Sequence, residues 1–237
     1  MENAIYAALT RQSGLMREMQ VVANNIANSA TTGFRQEGIV FSEFIARTQT
    51  GPSLSMATAR VGITSDRQGP LTQTGAPLDL AIQGEGYFLL DTPRGERLTR
   101  SGAFSTTPDG ELVTSGGYRL LDAGGAPVLV PPGAADLQLA ADGTLSTRDG
   151  AVAQIGVVRP VDPLGLVRED GVMFVAEQGV EPVENTMILQ GFLEGANVEP
   201  VSQIARMIEV QRAYELGQSF LDSEDERIRN ALKTLGR

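Results

Sequence analysis

The spacing of apolar positions divides the chain into two helical ends and a long middle with a different period. Steps of four and three from Ile5 give Ile5, Leu9, Gln12, Met16, Met19, Ala23 and Ile26. Only Gln12 is polar, which is the narrow seam of a coiled coil rather than the broad stripe of a surface helix. This spacing predicts a helix over about residues 3–28. A second seam runs through Met207, Val210, Tyr214, Gly217, Leu221, Glu224, Ile228, Ala231 and Leu235, widened early by Ile204 and Ile208. It predicts one helix from Pro200 almost to Arg237, with proline well placed at the first helical position. At 1.5 Å per residue the two helices are about 40 and about 50 Å long. Neither buries its seam alone, so the two are expected to pack on each other.

From Arg35 to about Thr74 there is no helical period, and the only apolar clusters are Ile39-Val40-Phe41 and Phe44-Ile45. That stretch reads as an extended arm. Near Pro77 the period becomes two, with Leu78, Leu80 and Ile82 alternating with Asp79, Ala81 and Gln83. Gly84-Glu85-Gly86 turns the chain into a second strand, Tyr87-Phe88-Leu89-Leu90. Further strands are expected at 96–100, 111–114, 118–121, 127–130, 137–140, 144–147, 152–159 and 172–176. Turn pairs such as Asp109-Gly110, Gly124-Gly125 and Asp142-Gly143 punctuate them, supplying the positive φ angles of tight hairpins. Asp109-Gly-x-Leu-x-Thr recurs at Asp142-Gly-x-Leu-x-Thr, an echo that turn chemistry alone accounts for. The expected fold class is α+β: a discontinuous coiled-coil stem from both termini, carrying an inserted all-β domain, a sandwich or open barrel. Its segments are 1–34, an arm at 35–77, the β domain at 78–182, an extended return at 183–199, and the helix at 200–237.

Composition narrows the function. Over 237 residues there is no cysteine and no histidine, which removes disulfides, thiolate ligands and the commonest general base. No cofactor or metal is expected, and no catalytic residue stands out. Gly84-x-Gly86 is too short for a dinucleotide fingerprint. Asp142 to Asp149 lacks the alternating ligands of a calcium loop. A paired-carboxylate hydrolase is the one enzyme class left, and 5% aromatics is thin material for a sugar cleft. A formal charge of −10 argues against nucleic acid. No 18-residue apolar run suggests membrane insertion, and the N-terminus reads as an amphipathic helix rather than a signal peptide. Export without a cleaved signal is therefore the expectation for any role outside the cytoplasm.

The end of the first helix is the most unusual stretch. Asn24, Asn25 and Asn28 lie within five positions although asparagine is a poor helix former. Either they cap loose carbonyls in a frayed last turn, or they serve an interface that needs donors and acceptors. Thr31, Thr32 and Gly33 then stop the helix, and Phe34 re-anchors the chain. Ala-Asn-Asn-Ile-Ala-Asn followed by Thr-Thr-Gly-Phe resembles the N-terminal signature of the flagellar axial proteins, the rod and hook subunits of the bacterial flagellum. Pro77-Leu-Asp-Leu-Ala-Ile-Gln-Gly-Glu-Gly-Tyr-Phe, Arg100-Ser-Gly-Ala-Phe, Asn197-Val-Glu-Pro-Val and Met207-Ile-Glu-Val-Gln-Arg-Ala-Tyr-Glu extend the likeness over most of the chain. The opening residues and modest length are most similar to the F-type branch of the proximal rod. Leu216-Gly217 and the acidic run Asp222 to Glu226 depart from the family pattern and loosen the assignment to one rod position.

The resemblance implies a structural subunit in a periplasmic tube that transmits torque, exported by the flagellar type III apparatus. It implies as partners copies of itself and other flagellar rod proteins. The expected assembly interface is Ile5, Leu9, Met16, Met19, Ala23, Asn24, Asn25, Ile26, Ala27, Asn28, Thr32, Gly33 and Phe34 with Ile204, Met207, Ile208, Gln211, Arg212, Tyr214, Leu221 and Ile228. Its amides and seams are expected to be satisfied by neighbouring subunits. The alternatives are a soluble coiled-coil adaptor whose β domain binds a ligand and, within the family, a distal rod or hook subunit.

Overall fold

The computed structural model describes residues 2–46, 54–131, 137–183 and 186–235. They form an α+β fold of two helices and a large β-rich region, in two compact units. One unit gathers residues 1–27, 37–63 and 199–237; the other holds 28–36 and 64–198.

In the first unit, α1 spans Glu2–Ala27 and α2 spans Pro200–Leu235, opening on proline as expected. They run antiparallel, because partners rise along one helix as they fall along the other. The Asn25 amide donates to Gln203 Oε1 (3.2 Å), Arg206 Nη2 pairs with Glu18 Oε1 (2.5 Å), and Gln12 Nε2 donates to the Tyr214 carbonyl (3.2 Å). The buried face of α1 carries Gln12, Glu18, Val22 and Asn25, while Leu9 and Met16 are 51% and 48% exposed. The seam expected through Met16, Met19 and Ala23 is thus turned by about one residue. Polar partners choose the face: Glu18 meets Arg206 and Asn25 meets Gln203, an option that apolar periodicity cannot register. Along α2, Val210 is 2% exposed and Met207, Tyr214, Gly217, Leu221, Glu224 and Ile228 are half-buried, whereas Ile204 and Ile208, expected to widen the seam, are exposed. The side chains of Ile5, Ala231 and Leu235 lie outside the described residues.

The expected arm contains three strands: β1 (Glu37–Ala46) and β2 (Leu54–Thr64) pair as a two-stranded sheet, and Leu71–Gln73 joins the β unit. Its β-branched run Ile39-Val40 favours the pleat. The side chains of Phe41, Phe44 and Ile45 lie outside the described residues.

The second unit is built on antiparallel strands. Tyr87–Thr92 lies at its centre and pairs with Gly95–Thr99, Arg119–Leu120 and Val157–Pro160. Leu166–Asp170 and Met173–Ala176 extend the sheet on one side, Leu112–Thr114 and Phe104–Thr106 on the other. The strands Phe104–Thr106, Leu166–Asp170 and Val180–Pro182 were not expected from the sequence, being short and broken by polar residues, while 127–130, expected as a strand, makes only isolated bridges at Pro127 and Leu129. Tyr87–Thr92 is buried on both faces. Phe88 and Leu90 enter a core with Leu80, Ile82, Leu112, Leu120, Leu145 and Ile155, while Tyr87 and Leu89 join Leu98, Leu166 and Phe174. A strand covered on both sides reads as a continuous apolar run, which is what Tyr-Phe-Leu-Leu shows. The two echoed Asp-Gly turns place Leu112 and Leu145 equivalently, each 1% exposed after a glycine at φ 85° or 86°.

The β unit reaches beyond the expected limits of 78 and 182. Leu71–Gln73 pairs with Phe192–Glu194, and Leu80–Gln83 with Met187–Gln190, so the return runs beside the way in. Gly191, at φ 74°, makes the break between those two return strands.

Leu120→Ala is expected to lower stability by about 2–5 kcal/mol, since its side chain is fully buried and leaves a cavity. Leu129→Ala, nearby in sequence but 53% exposed, should stay within about 0.5 kcal/mol. Urea unfolding followed by circular dichroism compares the two.

Candidate assembly surface and a buried arginine–glutamate cluster

The expected interface residues separate into two groups. On the helices, Leu9, Met16, Ala23, Ala27, Ile204, Ile208, Gln211 and Arg212 are exposed, and Met19, Asn24, Ile26, Met207, Tyr214, Leu221 and Ile228 are half-buried. Val201, Leu216 and Phe220 add further apolar surface to α2, at 73%, 73% and 45% exposed. Gly217, on α2, packs against Gln12 of α1. A Cβ there would lie 2.9 Å from Gln12 Nε2, the atom that donates to Tyr214. The acidic run is partly neutralised along its own helix, by Arg227 with Glu224 and Arg229 with Asp225, each at 2.6 Å.

The asparagines serve three different ends. Asn25, 1% exposed, accepts from the Glu37 amide (2.9 Å) and donates to the Glu37 carbonyl (2.9 Å) and to Gln203. It was expected to meet a neighbour; instead its amide mimics a strand partner and starts β1 beside the helix. Asn24 donates to the Glu37 carboxylate (3.2 Å). Asn28 closes a turn: its carbonyl accepts from the Thr31 amide (3.0 Å) and its Oδ1 from the Thr31 hydroxyl (3.2 Å). The helix therefore ends at Ala27, and Gly33 is not its cap.

Gly33, Phe34 and half-buried Thr32 belong to the β unit. Gly33 has the positive φ expected, 71°, and a Cβ would stand 2.3 Å from the Ser101 amide nitrogen. Its own amide donates to the Glu194 carbonyl (2.7 Å). Phe34, 1% exposed, packs with Ala196 and Val198. Neither is available to a neighbour, which corrects their place in the expected interface.

Beside them lies a cluster that periodicity did not reveal. Glu194, 1% exposed, pairs through Oε2 with Arg100 Nε (2.8 Å) and through Oε1 with Arg35 Nη2 (3.1 Å), and Oε1 also accepts from the Gly69 amide (2.9 Å). Arg100 turns its remaining nitrogens to the carbonyls of Gly86 (2.6 Å) and Gly84 (2.8 Å). Burial pulls the Arg100 guanidinium below its ordinary value, and the Glu194 carboxylate opposes that shift. Arg35 donates to the carbonyls of Asp66 (3.0 Å) and Arg67. Asn197 completes the join, accepting from the Gln36 amide (2.6 Å) and donating to the Arg67 carbonyl (2.6 Å). The cluster positions backbone; among the described residues no group of His, Cys, Asp and Glu could hold a metal. The only sequence trace of it was that Arg100 opens the Arg-Ser-Gly-Ala-Phe motif.

Three family models match in chain order: "Flagella basal body rod protein" over 5–35, "Flagellar hook protein FlgE/F/G D1 domain" over 81–152, and "Flagellar basal body rod FlgEFG protein C-terminal" over 189–234. The flagellar basal-body rod protein FlgF of Caulobacter vibrioides is 40% identical over 244 residues, covering 100% of this chain and 99% of that one. The chain belongs to the flagellar basal-body rod protein family. FlgF of Mesorhizobium japonicum is 37% identical over 239 residues, with 100% and 99% covered. FlgG of Bacillus subtilis is 31% identical over 258 residues, with 95% and 96% covered. These relatives are named as rod proteins and not as enzymes, and the chain is a structural subunit of the basal-body rod rather than a ligand-binding adaptor.

Glu194→Gln keeps the shape but leaves two buried guanidinium groups without a counter-charge. It should lower stability by about 3–5 kcal/mol, measured as the shift in urea midpoint at unchanged slope.

Proposed function

We propose that the chain polymerises through its two terminal helices into a helical tube, in the proximal part of the rod, and that this tube transmits torque. The observation that carries the reading is the apolar surface left open on both helices. Leu9, Met16, Val201, Ile204, Ile208, Leu216 and Phe220 are each 45–73% exposed. Such a concentration on one helix pair marks a partner surface. Burying it yields about 25 cal/mol per Å² of apolar area, which favours association without any chemical site. Small residues at Ala23 and Ala27 let another backbone approach closely.

A contact between unlike faces, repeated by one operation, makes an open filament rather than a closed ring. The helix pair is then the coiled-coil stem of the subunit, and the β unit a shaped spacer. The partners are copies of the chain and other flagellar rod proteins. No helix among the described residues is long and apolar enough to cross a membrane, which fits a stem that inserts into protein neighbours. Export by the flagellar type III apparatus into the periplasmic space completes the reading.

A chain ending at Glu199 loses all of α2 and none of the β unit. It should keep a cooperative thermal transition yet fail to enter rods or restore motility in cells lacking the full protein. Motility with this chain would show the helical stem to be dispensable. Met16→Lys makes the complementary test: with its side chain half in solvent, the substitution should leave stability within about 0.5 kcal/mol and still impair rod assembly in the same motility assay.

A further inference from the structure

The segment 28–36, which carries the Thr-Thr-Gly-Phe signature, is held to the β unit by more than the Glu194 cluster. Arg168, on the Leu166–Asp170 strand, lays its guanidinium between two rings, 4.5 Å from the Phe34 centroid and 4.6 Å from that of Phe174. The same guanidinium donates to the carbonyl of Arg35 and to that of Gly171. Phe174 is fully buried in the sheet core. A planar cation suits this place for two reasons. It is attracted by the negative face of each ring, and its fork reaches two carbonyls at once. Neither a lysine nor an apolar side chain does both.

The bonds of the segment close on the β unit itself. Gly33 N donates to Glu194 O (2.7 Å), Gln36 N to Asn197 Oδ1 (2.6 Å), Asn197 N to Phe34 O (3.3 Å) and Ser65 N to Gln36 O (2.9 Å). No partner outside the unit is needed for any of them. This differs from α1 and α2, on which Leu9, Met16, Ile204 and Leu216 remain exposed.

We propose that Arg168 is the positioning residue of a latch that holds residues 28–36 and 194–198 together on the β unit in the free subunit. The roots of both helices, at Asn28 and near Val198, are then fixed on the β unit before either helix meets a neighbour. Fixing the roots removes part of the ordering entropy that otherwise opposes assembly. The latch rests on contacts inside the β unit and stands whether or not the helices polymerise.

Amide hydrogen exchange on the dilute full-length chain tests it. Gly33 and Gln36 should be protected in the unassembled protein, approaching Leu121 and Val128 of the sheet. Exchange of Gly33 at the rate of an unstructured chain would overturn the proposal. Arg168→Leu and Phe34→Leu should each lower Gly33 protection about tenfold, the scale of a desolvated cation–ring contact. Leu121 should be unaffected, and Phe34→Tyr, which keeps the ring face, should retain protection. The double variant should lose little more than either single one, because both remove the same contact. Additive losses would refute the pairing. A matching loss at Leu121 would also refute the proposal, because Arg168 would then support the sheet rather than the segment.

Discussion

One carboxylate with no access to water organises the β unit. Glu194 is charged, buried and shared between Arg35, Arg100 and the Gly69 amide, so three separate segments must converge for it to be satisfied at all. Removing such an ion from water costs several kcal/mol, and only near-complete pairing offsets this. The cluster is therefore less a source of stability than a condition on geometry. The glycines around it obey the same condition: a Cβ on Gly69 would lie 2.0 Å from the Gly195 carbonyl oxygen, and one on Gly102 would lie 1.6 Å from that of Leu80. Backbone packs on backbone here, and charge decides which backbone.

Periodicity made the helices and most of the sheet legible. Pro200, the alternation from Leu78 to Ile82 and the apolar run from Tyr87 to Leu90 each announced an element through its own local physics. The errors share a cause. The α1 seam was read from apolar residues alone, whereas Glu18 and Asn25 face inward because Arg206 and Gln203 stand opposite them, 188 and 178 residues away. Arg35, Arg100, Arg168 and Glu194 were unreadable for the same reason. A buried ion pair has no period, and each member alone looks like an ordinary surface charge.

The recognised signature also turned out to hold two kinds of residue. Asn25, Gly33 and Phe34 are internal and shape how the chain leaves the first helix, while Ala23 and Ala27 face solvent. A motif identified by resemblance thus mixes folding with association, and only burial separates them. The residues that give the signature its character are the ones bound within the chain; the exposed ones, Ala23 and Ala27, are small residues that any amphipathic helix could carry.

The pairing of Leu71–Gln73 with Phe192–Glu194 has a consequence for how such chains can vary. The two crossings of the chain into and out of the β unit lie side by side, zipped by main-chain hydrogen bonds, and Phe34 sits there with Ala196 and Val198. Everything between Gly84 and Thr186 is a loop in the topological sense, however richly folded. Turns within it that touch neither Arg100, which meets Glu194, nor Arg168, which meets Phe34, can grow or shrink while the two ends still emerge side by side. Chains of this kind can therefore lengthen or shorten those turns in the middle of the sequence without disturbing the paired ends.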